Sequence, residues 1–148
     1  MEGKTPVYKN ADGTVYRTGV EAPVVNATAN GYRLPSEKEW EWAARGGQKT
    51  QGYDYSGSST IGDVAWYGNN SDGVTHEVGK LAANELGTYD MSGNVLEWCF
   101  DAVGSFRVFR GGSRYFGPTD CAVGRRNYDA PVNSDNHYGF RLALSLVP

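Results

Sequence analysis

Few residues of this chain have types and spacings suited to chemistry. Cys99 and Cys121 are its two cysteines. Two are too few for a disulfide scaffold, and they lack the paired spacing of a metal site. Cys99 follows Glu97-Trp98 and reads as a small buried hydrophobe; a bridge to Cys121 would require an oxidising compartment. The carboxylates are more suggestive. Asp90 and Glu97 flank a tight Ser92-Gly93-Asn94 turn, and Glu97 stands inside the apolar run Val95-Leu96-Glu97-Trp98-Cys99-Phe100. An unpaired buried charge is costly, so Glu97 needs a partner. Two arrangements suit the spacing: a Ca²⁺ shared by Asp90, Glu97 and the carbonyls between them, or a structural ion pair or hydrogen-bond cluster. Asn69, Asn70 and Asp72 offer a second group of oxygens, which an ordinary Asn/Asp/Gly turn explains at least as well.

The elements that must position such groups come next. Arg107-Val-Phe-Arg-Gly-Gly-Ser113 and Gly139-Phe-Arg-Leu-Ala-Leu-Ser145 are apolar, β-rich segments. They bracket residues 114–138, which follow no hydrophobic period and cannot bury a face of their own. A long irregular stretch pinned at both ends is expected to be functional, so the fold is read as a frame for displaying 114–138. Arg114, Tyr115, Phe116, Asp120, Tyr128, Asp129, His137 and Tyr138 mix amphipathic rings with hydrogen-bonding groups, as binding surfaces do. Gly117, Ala122, Gly124 and Ala130 complete the candidate contact set, while Cys121, Val123, Arg125, Pro131 and Asn133 are assigned to the frame between them.

Upstream, the near-alternating arms around Asn10-Ala-Asp-Gly13 signal a hairpin. The clearest helix begins after Pro35. Ser36 as N-cap and Glu39 three residues on make a capping box, and Trp40, Ala43 and Ala44 share a face. Gly46 stops the helix, Leu34 and Trp40 anchor it to a sheet, and its charges are read as a solvated outer face. Residues 48–75 form a long loop with Val64-Ala65-Trp66-Tyr67 as a short buried turn or strand.

Length bounds the chain 1–148 to a single domain. A formal charge of −3 gives no electrostatic case for nucleic acid. No apolar run is long enough to span a membrane, and the first residues, Met1-Glu-Gly-Lys-Thr-Pro, are not a secretory signal.

Four ordered motifs carry a resemblance. Gly31-Tyr-Arg-Leu-Pro-Ser-Glu-Lys-Glu-Trp-Glu-Trp-Ala-Ala-Arg-Gly-Gly47, Asn84-Glu-Leu-Gly-Thr-Tyr-Asp-Met-Ser-Gly-Asn-Val-Leu-Glu-Trp98, Arg107–Ser113 and Gly139–Ala143 together resemble the formylglycine-generating-enzyme (sulfatase-modifying factor) family. The resemblance covers the C-terminal half to two-thirds of the usual family domain. It implies an α+β, C-type lectin-like fold, loop-rich, with a mixed twisted sheet and one or two helices. It also implies a Ca²⁺ held by Asp90, Gly93, Val95 and Glu97. In the enzyme branch two active cysteines stand three and eight positions past the Gly-Gly-Ser. Here those positions are Phe116 and Cys121, so one of the pair is absent and no catalytic cofactor is expected.

The chain is most similar to another branch, the variable proteins of diversity-generating retroelements. There, adenine-specific errors rewrite Asn codons, and the products exclude Lys, Glu, Gln, Met and Trp. Residues 114–138 contain none of these, whereas residues 1–113 contain about 21. The resemblance therefore implies a non-enzymatic, hypervariable module within a 107–145 frame, which binds a protein or cell-surface ligand and is surface-displayed, secreted or phage-associated. Two alternatives stand beside it. One is a formylglycine-generating-type enzyme using Cys121. The other is a Ca²⁺-dependent sugar-binding lectin, ranked lower because the paired-carboxylate sugar motif is missing.

Overall fold

Short strands set the framework. The computed structural model describes residues 3–18 and 22–144, and Ser145, the end of the second bracket, lies outside them. In chain order come β1 (Tyr8–Lys9), β2 (Val24–Val25), β3 (Tyr32–Arg33), α1 (Glu37–Ala44), β4 (Ala65–Trp66), β5 (Ser92–Gly93), β6 (Leu96–Val103), β7 (Phe106–Arg110), α2 (Pro118–Cys121), β8 (Arg126–Asp129), β9 (Tyr138–Gly139) and β10 (Ala143–Leu144).

The centre is a mixed four-stranded sheet in the order β8-β7-β6-β9. β6 and β7 pair antiparallel, Glu97 opposite Arg110 and Trp98 opposite Phe109, with an irregularity before Ala102–Arg107. β8 adds antiparallel to β7, and β9 lies parallel to β6. Two-stranded pairs β1-β2, β3-β10 and β4-β5 close the periphery. The fold is therefore α+β and loop-rich, as expected. The hairpin at Asn10–Gly13 is present as a Lys9–Val15 bridge, although Tyr8–Lys9 also pairs with β2. β8 was not expected, because Arg126-Asn-Tyr-Asp has no apolar alternation and is a strand only through its pairing with β7.

α1 packs on one sheet face. Trp40 and Ala44 join Met91, Cys99, Val108 and Val123 in the core, with Ala43 against it. Ser36 Oγ accepts from Glu39 N, Ser36 N donates to Glu39 Oε2, and Gly46 takes the left-handed conformation at φ 83°. The reading of the helix charges as a solvated face needs correction. Glu37 and Glu41 both reach Arg110, which is 2% exposed, at 2.9 and 2.6 Å, and Glu37 also pairs with Arg126. Arg110 cannot leave the core side of β7, so the helix supplies the carboxylates that make its burial tolerable.

On the outer edge, Arg33 holds Glu39 through two hydrogen bonds of 2.6 and 2.7 Å. That guanidinium, helped by Ser36, brings the Glu39 carboxyl down from 4.5 to about 2. A lowered folded-state value stabilises above the unfolded one and is lost as pH falls. Glu39→Gln is thus expected to flatten the acid limb of stability between pH 4.5 and about 2, as read by urea titrations. Solvent screening of the pair holds the effect to about 1 kcal/mol.

Candidate ligand-binding surface

The turn Gly111-Gly112-Ser113 launches the bracketed segment. Gly112 has φ 70°, and a Cβ there would lie 2.7 Å from both Asp120 O and Cys121 Sγ. Only glycine lets α2 close against the turn this tightly. α2 then sinks Cys121 and, just beyond it, Val123, both at most 2% exposed, so these two are frame residues as expected. Val123 O also accepts from Arg110 Nη2 at 2.6 Å. The loop after β4 supports the start of the segment from outside: Gly68 N donates to Phe116 O and Ser71 Oγ to Arg114 O.

Strand alternation divides the candidate contacts between two sheet faces. Arg126 of β8 points to α1, as its bond to Glu37 requires, and Tyr128, two residues on, shares that side and contacts Phe106. Asn127 and Asp129 point the other way. On this second face a row of rings runs from Trp98 to Phe109, Tyr138 and His137, with centroid separations of 3.5, 4.5 and 4.7 Å. His137 meets Tyr115 and Phe116 edge-on at 5.4 and 5.8 Å. The structure thus gathers Tyr115, Phe116, His137 and Tyr138 into one cluster. Tyr115 is 49% exposed, and the other three are half-buried. Tyr128 is more exposed, at 56%, but stands apart on the opposite face.

The polar candidates are mostly engaged. Asp129 Oδ1 accepts from Ala130 N and Asn133 Nδ2, and Oδ2 accepts from the Tyr138 hydroxyl at 2.9 Å, which straps the 130–137 loop across the sheet. These bonds hold the Asp129 carboxyl below its usual range. Asp135 is likewise lowered by His137 Nδ1, 2.6 Å away. Asp120 pairs with Arg125 at 3.1 Å. Gly117 and Gly124 are exposed, and Ala122 and Ala130 are half-buried.

Arg114 is a correction. It is 5% exposed and faces inward. Its Nη1 and Nη2 donate to Asn136 O and Oδ1 at 2.7 and 2.9 Å, and its Nε to Gly73 O. It tethers the two ends of the segment and belongs to the frame. Arg125, Pro131 and Asn133, assigned to the frame, are exposed instead. Val132, 68% exposed at the loop tip, was not singled out, and Phe140, read as part of the pinned second bracket, is instead 65% exposed just after β9. An isolated apolar residue in a polar stretch was the available signal for Val132.

The partner that Glu97 needs is cationic. Arg141 donates to both of its oxygens, Nε to Oε2 at 2.6 Å and Nη2 to Oε1 at 2.7 Å, and Trp40 Nε1 adds a third bond at 2.6 Å. Asp90 Oδ2 accepts from Gly79 N, and Asp90 O from Arg141. The set Asp90, Gly93, Val95 and Glu97 therefore does not fit a divalent cation: a guanidinium already occupies the carboxylate that would carry the charge. Asn70 caps its own turn by bonding Tyr67 N and Ala65 O, as the turn reading anticipated.

Neither thiol is bridged, and burial pushes both up to about 12. Thiolate chemistry at neutral pH is correspondingly suppressed. A disulfide-exchange reagent at pH 8 is expected to leave Cys99 and Cys121 unmodified in the native protein and to label both once denaturant is added.

Comparison with known proteins follows the same lines. The model of the sulfatase-modifying factor enzyme 1-like domain matches residues 7–146. The solved structure of Treponema denticola variable protein 1 superposes on 97% of this chain and 55% of its own, with a TM-score of 0.78 and 38% identity. A formylglycine-generating enzyme of Thermomonospora curvata is 32% identical over 81% of this chain and 52% of its own length. The inactive C-alpha-formylglycine-generating enzyme 2 of Bos taurus is 34% identical over 88% and 53%. The chain spans about half the length of these relatives. With the capped helix, the Glu97–Arg141 pair and the Gly-Gly-Ser turn in place, the chain belongs to the sulfatase-modifying factor enzyme 1-like domain family.

Proposed function

We propose that this domain is a hypervariable, non-enzymatic binding module of a diversity-generating retroelement, which presents residues from 114–138 to a protein or cell-surface ligand. The observation that carries the reading is the union of composition and placement. The segment lacks Lys, Glu, Gln, Met and Trp, and its ring cluster at Tyr115, Phe116, His137 and Tyr138 borders solvent while Arg114, Cys121 and Val123 hold it from beneath. The depletion extends back to Cys99, so exposure rather than composition marks where display begins. Similarity to a variable protein over nearly the whole chain supports the same reading, as does the buried, unactivated Cys121. Rigid rings supply contact area at low entropic cost, and a pinned frame lets their identity change without refolding.

Sequencing the DNA around the gene tests it. A near-copy of codons 107–145, rich in Asn codons and differing at template adenines, should lie beside a reverse transcriptase gene. A locus with neither would overturn the reading.

A further inference from the structure

The second sheet face carries a cavity that the display surface does not explain. It encloses about 280 Å³ between the N-terminal hairpin and β6-β7. Its walls include Tyr8, Tyr16, Trp98 and Phe100, with Arg107 beside them and Pro131 of the 130–137 loop at one side. Tyr8 and Phe100 stack at 5.6 Å. The volume is near the lower limit for a small-molecule pocket, about 300 Å³, so one flat ring with a short substituent suits it.

Two polar groups give the cavity a preference. Arg107 Nη1 donates to Phe100 O at 2.7 Å, and its guanidinium lies 5.2 Å from the Phe100 ring. No ion pair engages it among the described residues, and its remaining donors have no protein acceptor there. Asp129 stands opposite Arg107 in the β7-β8 register, yet its oxygens serve Ala130, Asn133 and Tyr138. The Tyr8 hydroxyl accepts from Leu34 N at 2.8 Å and retains its own proton for a ligand. Among the described residues no carboxylate lines the cavity. An apolar slot with aromatic walls, a guanidinium with donors to spare and a phenolic donor is complementary to a ring bearing an anion.

We infer that this cavity is a binding site for a small planar aromatic carboxylate, its ring between the aromatic walls and its carboxylate on Arg107 and Tyr8. The site draws mainly on residues outside 114–138, so it stands or falls independently of the retroelement reading.

Phenylacetate and its neutral analogue 2-phenylethanol are the probes, titrated into the intact chain with NMR observation of the Trp98 indole. Phenylacetate is expected to shift that resonance saturably, with Kd of about 1 mM, and to bind about ten-fold more tightly than the alcohol. Arg107→Gln should remove this preference while leaving binding of the alcohol unchanged. Should that variant fail to fold, Tyr8→Phe, which keeps the ring and removes the donor, should weaken phenylacetate alone. Equal affinity for the two probes in the unmodified protein, or no shift of Trp98 up to about 10 mM, would overturn the assignment.

Discussion

Arg114→Ala is expected to cost about 2–4 kcal/mol of folding stability, although the residue sits in the segment read as surface. Its guanidinium is 5% exposed and spends its donors on Asn136 O, Asn136 Oδ1 and Gly73 O. Alanine would remove the buried guanidinium that joins those acceptors and would release the 130–137 loop from the Gly-Gly-Ser turn. In a domain of this size, a loss near 3 kcal/mol lowers Tm by about 6–12 °C. The comparison that gives this meaning is Tyr128→Ala, 56% exposed, which should stay within about 0.5 kcal/mol. Thermal scans of the two variants decide the matter. If Arg114→Ala melts with the parent protein, then Arg114 is not part of the frame, and its hydrogen bonds contribute nothing to holding residues 114–138.

A larger loss is expected at the ion pair. Glu97 is 5% exposed and holds Arg141 through two bonds and Trp40 through a third. Breaking a buried pair from one side leaves an uncompensated charge, so Glu97→Gln should cost about 3–5 kcal/mol. The double variant Glu97→Leu/Arg141→Leu should recover part of this, since removing both charges removes the desolvation problem. Recovery stays incomplete because Trp40 Nε1 still loses its acceptor. Denaturant titrations of the unmodified protein, Glu97→Leu, Arg141→Leu and the double variant give the coupling directly. In the unmodified protein, neither Ca²⁺ nor a chelator should move Tm. A chelator-induced drop would mean that a cation, bound to the folded state alone, competes with Arg141 for Glu97.

Both expectations concern charged side chains, and this is where reading the chain and seeing it folded diverge. The α1 capping box, Trp40 on the buried face, the Asn10–Gly13 turn and the frame positions Cys121 and Val123 were legible, because each depends on neighbours within a few residues or on a plain apolar preference. The need of Glu97 for a partner was legible too. The choice between a cation and Arg141 was not, since Arg141 lies 44 positions away and no local rule connects them. Arg114 looked like a surface residue, and the burial of Arg110 was not foreseen, for the same reason: the carboxylates and carbonyls that make their burial tolerable come from other elements. β8 escaped notice because its pairing with β7 creates it, and that pairing in turn sends Tyr128 to one face and Asp129 to the other.

What the amino-acid order determined by itself was the family frame, the helix with its ends, and the absence of Lys, Glu, Gln, Met and Trp from residues 114–138, all set by local backbone preference and residue type. Only the tertiary structure decided which of those segment residues reach solvent together and which carry the frame, because that depends on strand register and on charges meeting across long separations.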